Sequence, residues 1–565
     1  MIENKHIGKV IVLLMVLCVI GSLLAIRYVP DAVAVSGSGA VTVEYEEKLF
    51  DTSQIITLNI MMEPEQWEEL LANAIQEQYY ACDVEVNGVL FRNVGIRAKG
   101  NTSLSSIAMD STTDRYSFKL KFDEYVEGQT CFGLDKLVLN NNYADATNRK
   151  EAVVYDMFQF LGVDASLYNY AKISVNEEYW GTYLALEAIE DSFLLRNYGT
   201  QDGNLYKPET MAMGDGPGGD PPSLPDGEDR EDFPSPPDGE DREDFPSPPG
   251  GEGGEDFPSP PDGEGREDFP SPPDGGSGEE RPSLLDGENR EDFPFPRGNG
   301  ERMEQPQDVP GEFPGNRNGG ADLNYSDDNL ESYETIWDGE KQKSSDKDKQ
   351  RVVTAIEKIN KGEDLEEYLD VDNILKYMAV HEFVVNEDSL SGNMAHNYYL
   401  YESNGTLNLL PWDYNLSFGG MTSGGGKNDA TAMINDAIDT PFDGTQFFDA
   451  LLENEEYREK YHEYLRMLCE EYVQGGRLKE LWERLDEQTD TLIAEDPTSF
   501  YTEEEYTSAK ELLYKVIELR AQSVLAQIDG TIPSTESEQK EAQQTLIDAT
   551  GMDLSVMGEF HGGGH

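Results

Sequence analysis

The chain has 565 residues, 112 of them acidic and 43 basic, for a formal net charge of −69. A surface of that sign repels nucleic acid and anionic membrane and favours cationic partners or divalent ions, while the length allows at least one large core. Four cysteines with no CxxC pair exclude a disulfide scaffold and a cysteine-based metal site, leaving one disulfide with an odd thiol, or none.

Residues 1–35 read as an address label. Lys5 and Lys9 precede the apolar run Val10 to Ile26, and Ala32-Val33-Ala34 offers a small-residue cleavage site. The run sits at the short edge of a membrane span, so an uncleaved anchor is the alternative to a cleaved signal. Either way the chain is expected outside the cytoplasm, secreted or anchored facing the exterior. Membrane contact is expected only through this segment.

Residues 48–210 carry mostly strand patterns. SQIITLNIMM, CDVEVNGVLFRNVGIRAKG and RYSFKLKF alternate apolar and polar positions, Asn87-Gly88 marks a hairpin, and Pro64 to Ala74 reads as a short helix between strands. Asp145 is a candidate N-cap for a helix whose apolar spacing runs from Ala152 to Leu161 and stops at Gly162. YAKISVNEEYWGTYLALEAI reads as a second hairpin turning near Asn176, and Asp191 to Tyr198 as a helix.

Residues 211–345 break the pattern. A 12-residue period, DGEDREDFPSPP, starts at Asp226 and Asp238 and decays through Asp286. Proline, glycine and charge at this density bury too little apolar area to offset chain entropy, so a disordered insert is expected. It is a spacer or a binding tract, and its serines are candidate modification sites. The stretch from Pro221 to Gly300 holds −18 of the net charge, so most of the acidity lies elsewhere.

Order is expected again over 346–530, with helices at Lys349 to Asn360 and Leu365 to Asn386, then a hairpin, then nearly continuous helix from Phe447 to Ile528. Residues 531–565 are expected to be a flexible tail.

Three constellations carry chemistry. The strand end and loop from Arg97 through Lys99, Gly100 and Asn101 to Ser103 offers cations, hydroxyls and backbone N–H groups to phosphate oxygens, or is an ordinary turn. Lys119 on the neighbouring strand is placed to reach α/β-phosphates with Glu151 holding it, or is a solvated strand lysine; Lys121 is its rival. Around the third, HEFVVNEDSLSGNMAHNYYLYESNGTLNLLPWDYNLSFGG, Asp388 and Asp413 flank an aromatic hairpin, with Asn393 five residues after Asp388. One carboxylate can orient a hydroxyl nucleophile while an amide and the second carboxylate hold Mg²⁺, for which an all-oxygen set is suited. His381 and His396 are read as packed or surface residues rather than metal ligands.

At these residues the sequence resembles the CotH family, secreted atypical protein kinases of the spore coat protein H type. GIRAKGNTS with YSFKLKF, NRKEAVVYDMFQFLGV, ISVNEEYWGTYLALEAIEDSFL, and EDSLSGNMAHNYYLY with LPWDYNLSFGG run in family order from Gly95 to Gly420, interrupted by the insert. The resemblance implies an α+β, bilobal protein-kinase-like fold with a strand-rich N-lobe and a helical C-lobe. It implies transfer of the ATP γ-phosphoryl group, with Mg²⁺ or Mn²⁺, to serine or threonine of coat or surface proteins. By position, Asp388 would be the catalytic acid, Asn393 with Asn397 as its rival and Asp413 the metal ligands, and Trp412 a nucleotide neighbour. Arg97 to Ser103 would cover the phosphates. The chain departs from the family at Asn415, where members often carry a second acid. The alternative reading is a catalytically weak kinase-fold surface protein; a polysaccharide-active enzyme using the paired acids is the third. The expected partner is a serine- or threonine-bearing protein, a basic one suiting the acidic surface. Nothing in the sequence fixes the oligomeric state.

Overall fold

The computed structural model describes residues 41–208, 320–392, 394–421, 429–440, 442, 444–558 and 560. They belong to one compact unit; a second, Gly227–Glu312, lies outside the described residues, as do the signal or anchor region and the repeats of the insert.

Seven strands close into a barrel: β1 (Ile56–Met61), β2 (Tyr80–Val86), β3 (Val89–Lys99), β4 (Ser117–Lys121), β5 (Lys136–Asn140), β6 (Tyr168–Val175) and β7 (Glu178–Glu187), in the order β1-β2-β3-β4-β5-β7-β6. All neighbours are antiparallel except β1 and β6, whose parallel pairing (Leu58 opposite Ile173) seals the barrel. Strand alternation fills the inside with Leu58, Val94, Ile96, Phe118, Leu120, Leu139, Ile173 and Tyr183, all buried. The turns follow local chemistry: Asn87 and Gly88, at φ 49° and 80°, make the left-handed pair that a two-residue hairpin needs.

The helix Lys150–Leu161 lies outside the barrel and ends at Gly162, whose φ of 72° lets the chain turn off it. It begins later than an Asp145 cap would set it. Asp145 instead accepts from the Thr147 and Lys150 amides and the Thr147 hydroxyl, closing a turn ahead of the helix. A small second sheet, β10-β9-β8, joins β8 (Asn204–Tyr206) to the hairpin of β9 (Tyr398–Ser403) and β10 (Thr406–Pro411). Helices Asp346–Asn360, Val371–Val384, Glu455–Met467, Arg477–Ala494 and Glu503–Ile528 complete the helical part.

The architecture is mixed α/β, and it departs from a simple pair of lobes. One hydrophobic cluster runs without a break from Val138, Leu184 and Leu186 on the outer barrel face, through Val153 and Phe158, to Met378, Leu409, Tyr461 and Val516 among the helices. Two further expectations change. Residues 320–345, assigned to the insert, fold into short helices Leu330–Tyr333 and Glu334–Trp337 and bury Leu323, Tyr333 and Ile336. The tail, expected to be flexible, buries Leu554 and Met557, and the Ala146 N–H donates to the Met557 carbonyl. Among the described residues no helix is long and apolar enough to cross a membrane. Cys82, Cys131 and Cys469 are buried free thiols.

Two buried arginines clamp barrel to helices. Arg115 donates to both oxygens of Asp496 at 2.9 Å, to the Asn141 carbonyl and to the Thr182 carbonyl. Arg149, wholly buried, reaches Asp486, Asp490 and the Tyr506 hydroxyl. Because the Arg115 and Asp496 side chains are each only 2 % exposed, removing one strands the other's charge. Arg115→Met is therefore expected to lower the unfolding free energy by about 3 kcal/mol or more, read by urea denaturation. Arg115→Met with Asp496→Asn should recover part of that loss; no recovery would remove the ion pair as the cause.

Candidate active site

Because Val94, Ile96 and Ala98 point into the barrel, Arg97 and Lys99 on β3 point out. Lys99 pairs with Ser117, and one step beyond the Phe118–Leu139 pair brings Asn140 alongside Ser117. Lys99 thus reaches across one strand, its Nζ donating to Asn140 Oδ1 at 3.0 Å, and Asn140 Nδ2 donates to Glu151 Oε2 at 2.8 Å. Glu151 stands in the first turn of Lys150–Leu161; its Oε1 is buried with no hydrogen-bond partner among the described residues.

The charge of Asp413 bears on both ends of this chain. Burial first, then Asp413, pushes the Glu151 carboxyl up to about 8. Burial holds the Lys99 ammonium below its ordinary range, with Asp413 as the largest opposing influence. The Trp412 ring lies 5.6 Å from Lys99 Nζ.

Asp413 comes off the end of β10, where Pro411 pairs with Tyr398, so Asn397 and Trp412 are the next residues out from that pair. Asp413 and Asn397 both take left-handed backbone, φ 62° and 58°, which short polar side chains tolerate and which turns each strand end sharply. Asn397 Nδ2 donates to Asp388 Oδ2 at 2.9 Å and to its carbonyl at 3.0 Å, while His396 Nε2 holds Asp388 Oδ1 at 2.7 Å. Hairpin geometry therefore brings Asp388 and Asp413 to the same open end. His381 lies beneath, bound to Ser391 at 2.7 Å and to Tyr414 at 3.2 Å; burial lowers its pKa to about 4, so it is a neutral scaffold residue.

Several expected residues sit elsewhere or act differently. Lys119 does not meet Glu151. It pairs with Glu190 at 2.7 Å, together with Lys136, because its strand position faces the Glu190 turn; Lys121 pairs with Glu124. The lysine beside Glu151 is Lys99, and Asn140 bridges the two. Arg97 is tied to Glu77 at 2.7 Å, with its guanidinium over Tyr79. The expected loop is shorter: after Gly100 (φ 135°) and Asn101 the helix Thr102–Met109 begins, taking Ser103 into its first turn. Asn393 lies outside the described residues. Asn415 donates to the Tyr143 carbonyl at 3.0 Å.

Sequence reading missed three contributors: Lys99 as the Glu151 partner, Asn140 as the bridge, and His396 as the Asp388 partner. The first had a signal, since Lys99 ends a strand whose alternate residues are apolar. Asn140 had none, because its meaning depends on strand order.

Among the described residues no group of three or more His, Cys, Asp or Glu side chains is gathered to hold a metal. Asp413 and Asn397 follow the paired strand ends Pro411 and Tyr398, near a Glu151 carboxyl raised first by burial and then by the Asp413 charge, and hard oxygen donors of that kind fit Mg²⁺.

A protein-family model described as CotH kinase protein matches residues 96–239 and 313–524. Among curated proteins none matches this chain.

Glu151 gives a sign to pH dependence. The folded chain keeps its proton up to about pH 8, against an ordinary value of 4.5. Its contribution to stability is therefore complete below 4.5 and is lost as pH rises through 8. In EDTA, the melting temperature of the wild type should fall across that window more than that of Glu151→Gln; parallel curves would refute the raised pKa.

Proposed function

The chain belongs to the CotH kinase protein family, and on that premise we propose that it is an extracytoplasmic protein kinase moving the ATP γ-phosphoryl group to serine or threonine. The observation carrying this reading is the meeting of Lys99, Glu151 and Asp413 behind the hairpin end that holds Asp388. Phosphoryl transfer asks the protein chiefly for position and charge, and these residues supply both.

In this reading Lys99, braced through Asn140 by Glu151, contacts the α/β-phosphates, and the first-turn amides of Thr102–Met109 lie beside it in sequence. Asp413 and Asn397 would hold Mg²⁺, which when bound neutralises phosphate charge. Asp388, its carboxylate fixed by His396 and Asn397, orients the attacking hydroxyl and takes up its proton as the oxygen bonds to the γ-phosphorus and ADP leaves. Strand-rich and helical parts then serve as the small and large lobes of a kinase-like fold, fused by a shared core. The apolar run Val10 to Ile26 with Ala32-Val33-Ala34 supports export.

A second reading, a kinase-fold platform with weak transfer, has one observation in its favour. Asn415 is an amide where the family resemblance implies a second acid, and it donates to the Tyr143 carbonyl.

Radiolabel transfer from ATP with Mg²⁺ or Mn²⁺ to serine-bearing proteins, including the chain itself, separates the two. Asp388→Asn should lower kcat about 10²–10⁴-fold while keeping the nucleotide-induced thermal shift. Lys99→Met and Asp413→Asn should lose both. Absence of transfer and of any thermal shift in the wild type would leave only the platform.

A further inference from the structure

Beneath the Asp388 loop lies a cavity of about 280 Å³ whose wall includes Asn386, Glu382, Glu387, Asp436, Glu536 and Phe442. It is smaller than the ~300 Å³ at which sites for drug-sized ligands begin, and so is matched to one side chain or a comparably small group. Four carboxyl groups line it; burial and then the neighbouring Asp436 push the Glu382 carboxyl well above its ordinary range, Glu536 is paired with Lys540 at 2.8 Å, and the single imidazole in the wall, His381, is held neutral by burial and bonded to Ser391. Arg520 lies behind Glu382, with its donors engaged by Glu382 and by the carbonyls of Phe383, Ile434 and Asp436.

Acidity alone assigns nothing; Asn386 does. It is 3 % exposed, and neither its Nδ2 nor its Oδ1 has a hydrogen-bond partner among the described residues. A buried amide left unpaired on both atoms keeps a desolvation cost that a ligand can return by pairing it. The pairing needed is specific: a donor for Oδ1 and an acceptor for Nδ2. A guanidinium or ammonium donates to Oδ1 and to the carboxylates but offers Nδ2 nothing, because such cations carry no acceptor. A carbonyl oxygen next to the cation supplies it. Phe442 adds an aromatic face that suits a cation. A metal ion is less suited, since among the described residues no three acidic or imidazole groups converge on one point.

We propose that this cavity binds a positively charged side chain together with an adjoining amide carbonyl, as in an arginine or lysine residue of a polypeptide. Asn386 precedes Asp388 by two residues, roughly 7 Å of extended chain, so a polypeptide seated here lies near the loop that carries Asp388. The proposal does not rest on phosphoryl transfer, because binding is read without nucleotide.

The test is calorimetry on the full chain with three probes: N-acetyl-arginine amide, its neutral isostere N-acetyl-citrulline amide, and butylguanidine, which keeps the single guanidinium cation but lacks the carbonyl. The arginine amide should bind at least tenfold more tightly than either. Binding should weaken at least tenfold in Asn386→Leu, which removes an unpaired amide without a partner to strand, and in Glu536→Lys, an exposed change at the mouth that leaves the core alone. Butylguanidine binding as tightly as the arginine amide would reassign the cavity to free small cations and overturn the carbonyl part. Equal binding of the citrulline amide, no binding of the arginine amide, or binding unchanged in both variants would overturn the site. Ca²⁺ or Mg²⁺ binding that is lost in the same variants would overturn it in favour of a metal.

Discussion

Everything in the candidate site hangs on one buried polar chain, Lys99 to Asn140 to Glu151, lying under the charge of Asp413. Its members come from β3, β5, the Lys150–Leu161 helix and the end of β10. Taking ions out of water costs several kcal/mol each unless partners are held in place, so these elements cannot drift independently. That explains two otherwise separate facts. The core is continuous from the outer barrel face into the helices, and the buried Arg115 and Arg149 bolt the same two parts together. Rigid framing is what makes a half-compensated cluster tolerable.

The local grammar of the chain was readable. Asn87-Gly88 announced its hairpin, Gly162 its helix end, and Phe118 and Leu120 the inward face of β4. In each, the cause lies within a few residues. What stayed hidden depends on partners distant in sequence. Nothing near Ile56 reveals that β1 will lie parallel to β6 and close a barrel. Nor does FKLKF reveal that Lys119 meets Glu190 while Lys99, a strand away, meets the Glu151 bridge. Asp145 looked like a cap because an Asp before an apolar run usually is one; its carboxylate found a tighter turn.

Residues 320–345 show the same limit. Their polar, glycine-containing sequence resembles the insert, yet a few anchors suffice: Ala321 N–H to the Ala395 carbonyl, and Tyr398 hydroxyl to the Ala321 carbonyl. On the other side Lys207 N–H meets the Gly339 carbonyl. Lys207 and Ala321, described residues on either side of the acidic stretch, are thus each pinned by backbone hydrogen bonds, Ala321 against the loop that follows Asp388.

The folded tail sets an order of assembly. Met557 and Phe560 close on the 143–146 turn and on Gly420, just beyond the Trp412-Asp413 strand end, while the barrel is laid down from residue 56 onward. A ribosome adding about 5–20 residues per second needs tens of seconds to travel between them. Until the tail arrives, the turn and, once it is made, the hairpin end lack their cover, so a nascent chain carries the parts of the site without its finished form.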